Sequence, residues 1–282
     1  MLETEVRTTP LPSGEPIPVL GLGTWRMAER RRQRSYEIAA LRLGLDLGMA
    51  LIDTAELYAH GGAEELVGEA IEGRRDDVFL VSKVHPSNAD RRGTIRACEA
   101  SLRRLGTDRL DLYLLHWRSR TPLEETVGAF TRLVDDGKIR YWGVSNFDVR
   151  DMEQLGHLPG GDAVATNQVV YSLSRRGIEA GLVPWSQERG IPVMAYSPFA
   201  QGGLLRDRAL RTVAQRHRAT PAQVALAWVL RHDGVFTIPK AGTPEHVKEN
   251  RAALELELSD RDLAELDEAF PPPARQHRLE GL

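Results

Sequence analysis

The chain has 282 residues, of which 41% are hydrophobic and 27% are charged, and its formal net charge at pH 7 is −3. This composition is typical of a globular protein with a sizeable core, and the small negative charge gives no electrostatic reason to expect nucleic acid or an anionic membrane as a partner. The single cysteine, Cys98, excludes an internal disulfide framework and favours a reducing compartment.

The sequence also lacks the signals of export and membrane insertion. It begins MLETEVRTTP, with acidic side chains and no apolar segment of the kind found in signal peptides. No apolar run approaches the roughly 20 residues that a membrane-spanning helix needs. We therefore predict a cytoplasmic protein, and because nothing in the sequence indicates an obligate oligomer, we expect a monomer.

Predicted strands and helices alternate along the chain. Residues 1–18 are rich in proline and glycine and predict a short hairpin or loop. Val19–Trp25 is a predicted strand, and a helix follows over about residues 31–48. The next strand ends at Asp53 and precedes a helix over residues 62–72. Six further apolar segments predict strands, each with a helix after it: 78–83, 110–116, 141–146, 165–170, 192–196 and 235–239.

Eight strand-then-helix units predict an α/β fold with a closed (β/α)8 TIM barrel. Strands that are apolar throughout and separated by helices are typical of a parallel sheet covered by helices. The helix after the sixth strand is predicted over Ile178–Arg189, and Thr220 with Gln223 predicts a capping box. An added C-terminal helix is expected to start at Ser259, with Asp262 completing its cap. No linker marks a boundary, so residues 1–282 are predicted to form one domain.

Polar and aromatic residues stand at the ends of nearly all the predicted strands. In such barrels the carboxyl ends of the strands meet around one opening, where the chemistry is located. Any one of these residues has an ordinary structural explanation, such as a helix cap, but together they predict a functional site. The strand ends supply Thr24, Trp25, Asp53, Lys83, His116, Ser145, Asn146, Gln168, Tyr196 and Lys240.

Four of the residues near this opening suggest proton donation to a carbonyl oxygen. The phenol of Tyr58 has an ordinary pKa near 10, which is high for a proton donor at neutral pH. An ammonium group at Lys83 would lower that pKa, and a carboxylate at Asp53 would keep the lysine charged and oriented. His116 would hydrogen-bond the substrate oxygen and position it.

Reduction of a carbonyl also needs a hydride donor, which no side chain provides, so a nicotinamide cofactor is implied. The chain has no G-x-G-x-x-G fingerprint, because Gly21-Leu22-Gly23 lacks the third glycine, and it has no phosphate-binding G-x-x-x-x-G-K-[ST] loop. A dinucleotide would therefore bind without a Rossmann domain. No metal site is predicted.

The chain resembles the aldo-keto reductases over essentially its whole length, and it is most similar to bacterial members of the methylglyoxal reductase and 2,5-diketogluconate reductase type. The resemblance rests on the motifs GLGTW (21–25), LIDTAELY (51–58), VSK (81–83), LYLLHW (112–117), GVSNF (143–147), TNQV (166–169), AYSP (195–198) and IPK with EN (238–250). It implies a barrel that reduces aldehydes and ketones with NADPH. Tyr58 would be the acid, Lys83 and Asp53 would tune it, and His116 would orient the substrate.

The resemblance also implies a set of cofactor contacts. At the nicotinamide end they would be Ser145, Asn146 and Gln168 on the carboxamide, Tyr196 stacked on the ring, and Thr24 and Asp53 near the ribose. Further along they would be Ser197, Phe199 and Gln201 at the pyrophosphate, Lys240 at the 2′-phosphate with weaker help from His246, and Glu249 and Asn250 at the adenine. NADPH-selective members often carry arginine at the position of His246 and a hydroxyl at that of Ala241, so NADH is expected as a weaker alternative.

The substrate pocket is predicted to be shallow. Trp25, Trp117 and Phe147 are expected to form its walls beside Tyr58 and His116, because the loop after His116 is short. Small electrophilic carbonyls such as methylglyoxal should therefore be preferred substrates.

Two other functions remain open at this point. A barrel lyase would use Lys83 as a Schiff-base nucleophile. A non-catalytic regulatory subunit would keep the fold and sense the cofactor. The intact set Asp53, Tyr58, Lys83 and His116 favours the reductase over both.

Overall fold

Eight parallel strands form the centre of the fold in the computed structural model, which describes residues 6–273 and residue 279. A two-stranded antiparallel hairpin precedes them, with strands β1 (Thr8–Pro10) and β2 (Pro16–Pro18), as the sequence predicts. The barrel strands are β3 (Leu22–Gly23), β4 (Leu51–Asp53), β5 (Phe79–Val84), β6 (Leu110–Leu115), β7 (Ile139–Ser145), β8 (Asn167–Val170), β9 (Val193–Tyr196) and β10 (Val235–Thr237).

The sheet closes on itself. Each barrel strand pairs in parallel with the next in chain order, and the register of β4 with β5 places Asp53 opposite Val81. Backbone hydrogen bonds then join the first and last strands: Gly21 N–H donates to the carbonyl of Thr237 at 2.8 Å, and Thr237 N–H donates to the carbonyl of Val19 at 2.8 Å. The predicted (β/α)8 barrel is therefore confirmed.

Helices follow the barrel strands, and their ends carry the predicted caps. Thr220 and Gln223 form a reciprocal capping box, and so do Ser259 and Asp262, which satisfies backbone amides that a helix start leaves without partners. The helices are α1 (Arg34–Asp46), α2 (Gly62–Ala70), α3 (Arg91–Leu105), α4 (Leu123–Asp135), α5 (Val149–Gly156), α6 (Leu182–Glu188), α7 (Arg208–Arg216), α8 (Pro221–Val229), α9 (Pro244–Ala252) and α10 (Asp260–Ala269). None of the helices in residues 6–273 combines the length and the apolar character needed to cross a bilayer.

Several predicted boundaries differ from those in the structure, among them the boundaries of helix α6 and strand β3. Helix α6 begins at Leu182 instead of Ile178, because Pro184 lacks an amide hydrogen and is tolerated in the first turn of a helix only. Strand β3 covers two residues instead of the seven predicted, although Gly21 and Val19 still hydrogen-bond across the closure of the barrel. Trp25 consequently lies in a turn beyond the strand rather than at its end.

Candidate active site

A cavity of about 760 Å³, here called the main cavity, collects the residues that follow the barrel strands. Its lining includes most of the residues predicted from the strand ends, together with several from the loops. The residues are Gly23, Trp25, Arg26, Asp53, Leu57, Tyr58, His116, Trp117, Ser145, Asn146, Gln168, Tyr196, Ser197, Pro198, Phe199, Gln201, Gly202, Ile238, Lys240 and Leu279.

Lys83 lies beneath the cavity and is completely buried. Its ammonium group donates to Asp53 Oδ2 at 2.8 Å, to the backbone carbonyl of Thr54 at 2.8 Å and to the hydroxyl of Tyr58 at 3.2 Å. An ammonium has three hydrogens and each one has an acceptor here. Burial opposes charge on Lys83, but the adjacent Asp53 and Tyr58 raise its pKa above the ordinary value. Lys83 is therefore a fixed positive charge in contact with a phenol.

Asp53 ends strand β4 and holds that lysine from the other side. Its second oxygen, Oδ1, accepts a hydrogen bond from Gln168 Nε2 at 2.8 Å. Neither donor nitrogen, Lys83 Nζ or Gln168 Nε2, has a lone pair that could accept a hydrogen bond from a protonated carboxyl group. The two contacts therefore require the ionised carboxylate of Asp53. Burial raises the pKa of Asp53, and Lys83 and Gln168 oppose that rise. We assign the charged form because the geometry leaves no acceptor for a proton.

Tyr58 lies in the loop after β4, between the buried pair and the cavity. Its ring meets His116 edge to face, with 5.7 Å between the centroids. Burial raises the pKa of the phenol above 10, and the charge of Lys83 offsets only part of this effect. The lysine acts in the predicted direction, but the predicted net lowering is wrong because loss of water around the phenolate outweighs it. Tyr58 is therefore a neutral phenol at neutral pH.

His116 follows strand β6 and is neutral as well. Burial, with the charges of Lys83 and His85, lowers the pKa of its imidazole to about 2. Nδ1 is buried and has no hydrogen-bond partner, so Nε2 is the ring nitrogen that can face the cavity. A neutral imidazole with its proton on Nε2 can donate one hydrogen bond there.

A second network of polar groups lines the cavity and links residues at four strands, β6, β7, β8 and β9. Tyr196 donates its hydroxyl hydrogen to Asn146 Oδ1 at 2.9 Å, and Asn146 Nδ2 donates to Ser145 Oγ at 3.0 Å and to the carbonyl of His116 at 3.1 Å. Ser145 in turn donates to the backbone carbonyl of Gln168 at 2.8 Å. Burial raises the pKa of Tyr196 to about 12, so this phenol is neutral. The network fixes these side chains along one wall of the cavity.

Strained backbone is concentrated around the cavity. A positive φ is unfavourable for residues other than glycine and is found most often at functional sites. Among the described residues nine non-glycine positions have it. Four of the nine line the main cavity: Arg26 (64°), Asn146 (60°), Ser197 (53°) and Gln201 (57°).

Several predicted site residues lie away from the cavity wall. The placement of Phe147 is wrong: its side chain is fully buried, and Asn167 hydrogen-bonds both its N–H and its carbonyl, which turns the ring into the core. Thr24 is buried and donates to the carbonyl of Asp53 at 3.0 Å. His246, Glu249 and Asn250 lie on helix α9, outside the lining.

The lining also contains residues that the sequence did not indicate. They are Gly23, Arg26, Leu57, Pro198, Gly202, Ile238 and Leu279. Most belong to loops, whose course a strand pattern does not predict. A signal for one of them was present, because Arg26 directly follows the predicted pocket residue Trp25.

Comparisons with known proteins show to which family the chain belongs. The aldo/keto reductase family model matches residues 19–270. The chain is 56% identical over 269 residues to methylglyoxal reductase YeaE of Escherichia coli (strain K12), covering 94% of this chain and 95% of that protein. It is 36% identical over 264 residues to the glyoxal reductase of Bacillus subtilis (strain 168), covering 92% of this chain and 91% of that protein.

A solved structure of an aldo/keto reductase from Klebsiella pneumoniae, in complex with NADP and acetate, is similar to this chain with a TM-score of 0.95 and 53% sequence identity. The similarity covers 98% of this chain and 100% of that one. The chain therefore belongs to the aldo/keto reductase family and is an oxidoreductase.

Proposed function

We propose that the protein reduces small aldehydes and α-dicarbonyls, such as methylglyoxal, to alcohols with NADPH, and that Tyr58 is the general acid. The observation that carries this proposal is the contact between Lys83 and Tyr58. The buried ammonium group of Lys83 donates two of its hydrogens to Asp53 and Thr54. It donates the third to the hydroxyl of Tyr58, a phenol that lines the cavity. The relatives named as methylglyoxal and glyoxal reductases support the substrate class.

The proposed proton transfer follows from the charges of the site. The neutral phenol of Tyr58 donates its hydrogen to the carbonyl oxygen as that oxygen becomes an alkoxide. Lys83 then stabilises the phenolate through the existing 3.2 Å contact, and Asp53 keeps the lysine oriented. His116 donates from Nε2 to the same oxygen and holds the carbonyl against the phenol. NADPH, when bound, supplies the hydride for the carbonyl carbon.

The residues along the cavity suit a nicotinamide dinucleotide. Ser145, Asn146 and Gln168 place amide and hydroxyl groups where a carboxamide needs partners, and Tyr196 provides an aromatic surface beside them. We propose that Ser197, Phe199 and Gln201 hold the pyrophosphate, and that Lys240 holds the 2′-phosphate. On the same reasoning His246, in the first turn of α9, adds to the binding of the 2′-phosphate, and Glu249 and Asn250 of the same helix bind the adenine. Thr24, which donates to the carbonyl of Asp53, lies near the ribose. The Klebsiella pneumoniae structure with NADP supports this assignment.

The burial of Lys83 counts against a Schiff-base lyase. A nucleophilic lysine needs a neutral amine that reaches the substrate. Here the amine is charged, has three acceptors and is absent from the lining of the main cavity, as far as residues 6–273 define it. Treatment of the protein and a carbonyl substrate with cyanoborohydride should leave no adduct on Lys83, and an adduct would support the lyase instead.

The four-residue site also distinguishes an enzyme from a cofactor-sensing regulatory subunit. A sensor has no need for a charged lysine against a phenol at the cavity surface. Rapid oxidation of NADPH in the presence of methylglyoxal, followed at 340 nm, is the outcome expected of an enzyme. NADPH binding without turnover of any aldehyde would support the sensor.

A panel of carbonyls tests the predicted substrate size. Trp25 and Trp117, each 37% exposed, line the main cavity together with Tyr58, and we expect these bulky side chains to limit the size of the substrate. We expect methylglyoxal and activated aromatic aldehydes to have the highest kcat/KM, and steroids and long open-chain sugars to have low values. A steroid with the highest kcat/KM of the panel would contradict a shallow substrate site.

Lys240→Ala tests how the 2′-phosphate is recognised. Lys240 lines the cavity with an exposed side chain, and a charge-assisted hydrogen bond to a phosphate corresponds to roughly 10- to 150-fold in affinity. We expect weaker binding of NADPH, towards the lower end of that range because water screens the contact, and little change for NADH. Fluorescence titration with both cofactors measures this, and Lys248→Ala is the control, since Lys248 is an exposed lysine of α9 outside the cavity. An equal loss of both cofactors would show that Lys240 does not bind the 2′-phosphate.

A further inference from the structure

A second cavity of about 520 Å³, here called the side cavity, adjoins the main cavity. The two share four lining residues: Trp25, Arg26, Leu57 and Tyr58. The side cavity therefore starts at the phenol and runs along the loop after β3. A substrate whose carbonyl lies at Tyr58 has its remaining atoms within reach of this loop.

Arg26 is an unpaired cation in the wall between the two cavities. Its guanidinium carbon lies 4.3 Å from the centroid of the Trp25 ring, an arrangement that holds the planar group over the indole. Its φ of 64° is an unfavourable backbone conformation for arginine. None of the carboxylates in residues 6–273 lies within the 4.0 Å that defines an ion pair with it. This guanidinium consequently has its hydrogen-bond donors available to a ligand.

The charges around the main cavity leave an anion site at Arg26. Lys83 and Asp53 neutralise each other in a buried ion pair. Lys240 is the other exposed cation in the lining and is assigned to the cofactor phosphate. Arg26 is then the one cation of that lining that has neither a partner among the described residues nor a place in the proposed cofactor contacts.

The sequence around Arg26 strengthens the positive potential. Residues 26–34 read RMAERRRQR and contain five arginines and one glutamate, Glu29, in a chain whose net charge is −3. Arg34 forms an ion pair with Glu69 at 2.8 Å, whereas Arg30, Arg31 and Arg32 are exposed. Glu29 lines the side cavity but is absent from the lining of the main cavity. A cluster of one sign beside a cavity attracts ligands of the opposite sign.

We propose, on the basis of the proposed reductase function, that Arg26 binds the carboxylate of anionic carbonyl substrates, so that the enzyme accepts oxo acids and aldehydes with a carboxylate remote from the reacting carbonyl. The guanidinium offers the paired donors that match a carboxylate. Trp25 limits its motion, and Tyr58 stays at the carbonyl end. The reaction is unchanged: the carbonyl carbon gains a hydride from NADPH, its oxygen gains a proton, and the carboxylate is not altered.

The test uses two aldehydes of nearly equal shape, 4-carboxybenzaldehyde and 4-nitrobenzaldehyde, of which the first alone is anionic. The readout is the ratio of kcat/KM for the carboxylate to that for the nitro compound, because a ratio cancels general effects on folding and chemistry. We expect Arg26→Gln to lower this ratio about tenfold, between the small effect of an exposed ion pair and the larger one of a charge-assisted hydrogen bond. Arg26→Lys keeps the charge and should retain part of the ratio, since lysine lacks the planar fork.

Arg30→Gln is the matched control, because it removes an equal charge from the same segment without touching either lining. It should leave the ratio close to that of the unmodified enzyme. The proposal is overturned if Arg26→Gln leaves the ratio unchanged, or if Arg30→Gln lowers it as much, which would indicate a diffuse field rather than a site. It is also overturned if Arg26→Gln weakens NADPH binding and lowers kcat/KM for both aldehydes by the same factor. Absence of NADPH oxidation with 4-nitrobenzaldehyde in the unmodified enzyme would instead overturn the reductase function itself.

Discussion

Tyr58→Phe is expected to lower kcat for methylglyoxal by roughly 10²- to 10⁴-fold, the usual range for loss of a general acid. The substitution removes one oxygen and leaves the ring, so its edge-to-face contact with His116 is retained. Lys83 loses one of its three acceptors, and the carbonyl oxygen loses its proton donor. Steady-state kinetics with saturating NADPH measures the effect.

The affinity for NADPH shows whether Tyr58→Phe has lost only the chemical step or has disrupted the whole site. The dissociation constant of NADPH should stay nearly the same in Tyr58→Phe, because the proposed cofactor contacts do not include the phenol. Tyr141→Phe is a matched control: its hydroxyl donates to Glu15 at 2.7 Å beside the N-terminal hairpin, and it lies outside the main cavity. Near-normal turnover in the Tyr58 variant would remove this residue from the mechanism.

The parts of the site that lie at strand ends could be predicted from the sequence. Asp53 and His116 follow apolar runs directly, and in a parallel barrel the ends of such runs converge, so their proximity follows from the topology. Lys83 is four residues from the start of β5, and the pairing of neighbouring strands brings it to Asp53. For these residues the position at the end of an apolar strand and the topology of the barrel predict the same arrangement.

The parts that depend on loop conformation could not be predicted. Phe147 follows Asn146, whose positive φ reverses the chain and directs the next side chain into the core. No periodicity in the sequence encodes that reversal. Arg26, which also has a positive φ, and Leu279 line the main cavity from outside the predicted strands. The direction of the pKa shift of Tyr58 could not be predicted either, because burial of a group depends on all the elements packed around it.

The contact of Lys83 with Asp53 makes a second large effect testable. Lys83→Met should reduce kcat at least about 100-fold, because the phenolate of Tyr58 would form without a neighbouring positive charge. It should also lower the free energy of unfolding by about 3–5 kcal/mol, the cost of leaving one partner of a buried ion pair uncompensated. Both side chains are almost inaccessible, with 0% and 2% of the side-chain surface exposed, so water does not relieve the remaining carboxylate.

The double variant Asp53→Asn with Lys83→Met distinguishes the two roles of the lysine. Removal of the carboxylate charge as well should restore part of the lost free energy of unfolding, since no uncompensated buried charge is left. Turnover should remain low, because Tyr58 still lacks the ammonium group. Chemical denaturation and NADPH oxidation, measured on the same three proteins, give the two quantities. If stability and turnover recovered together in the double variant, Lys83 would be a structural residue and its contact with Tyr58 would have no part in proton transfer.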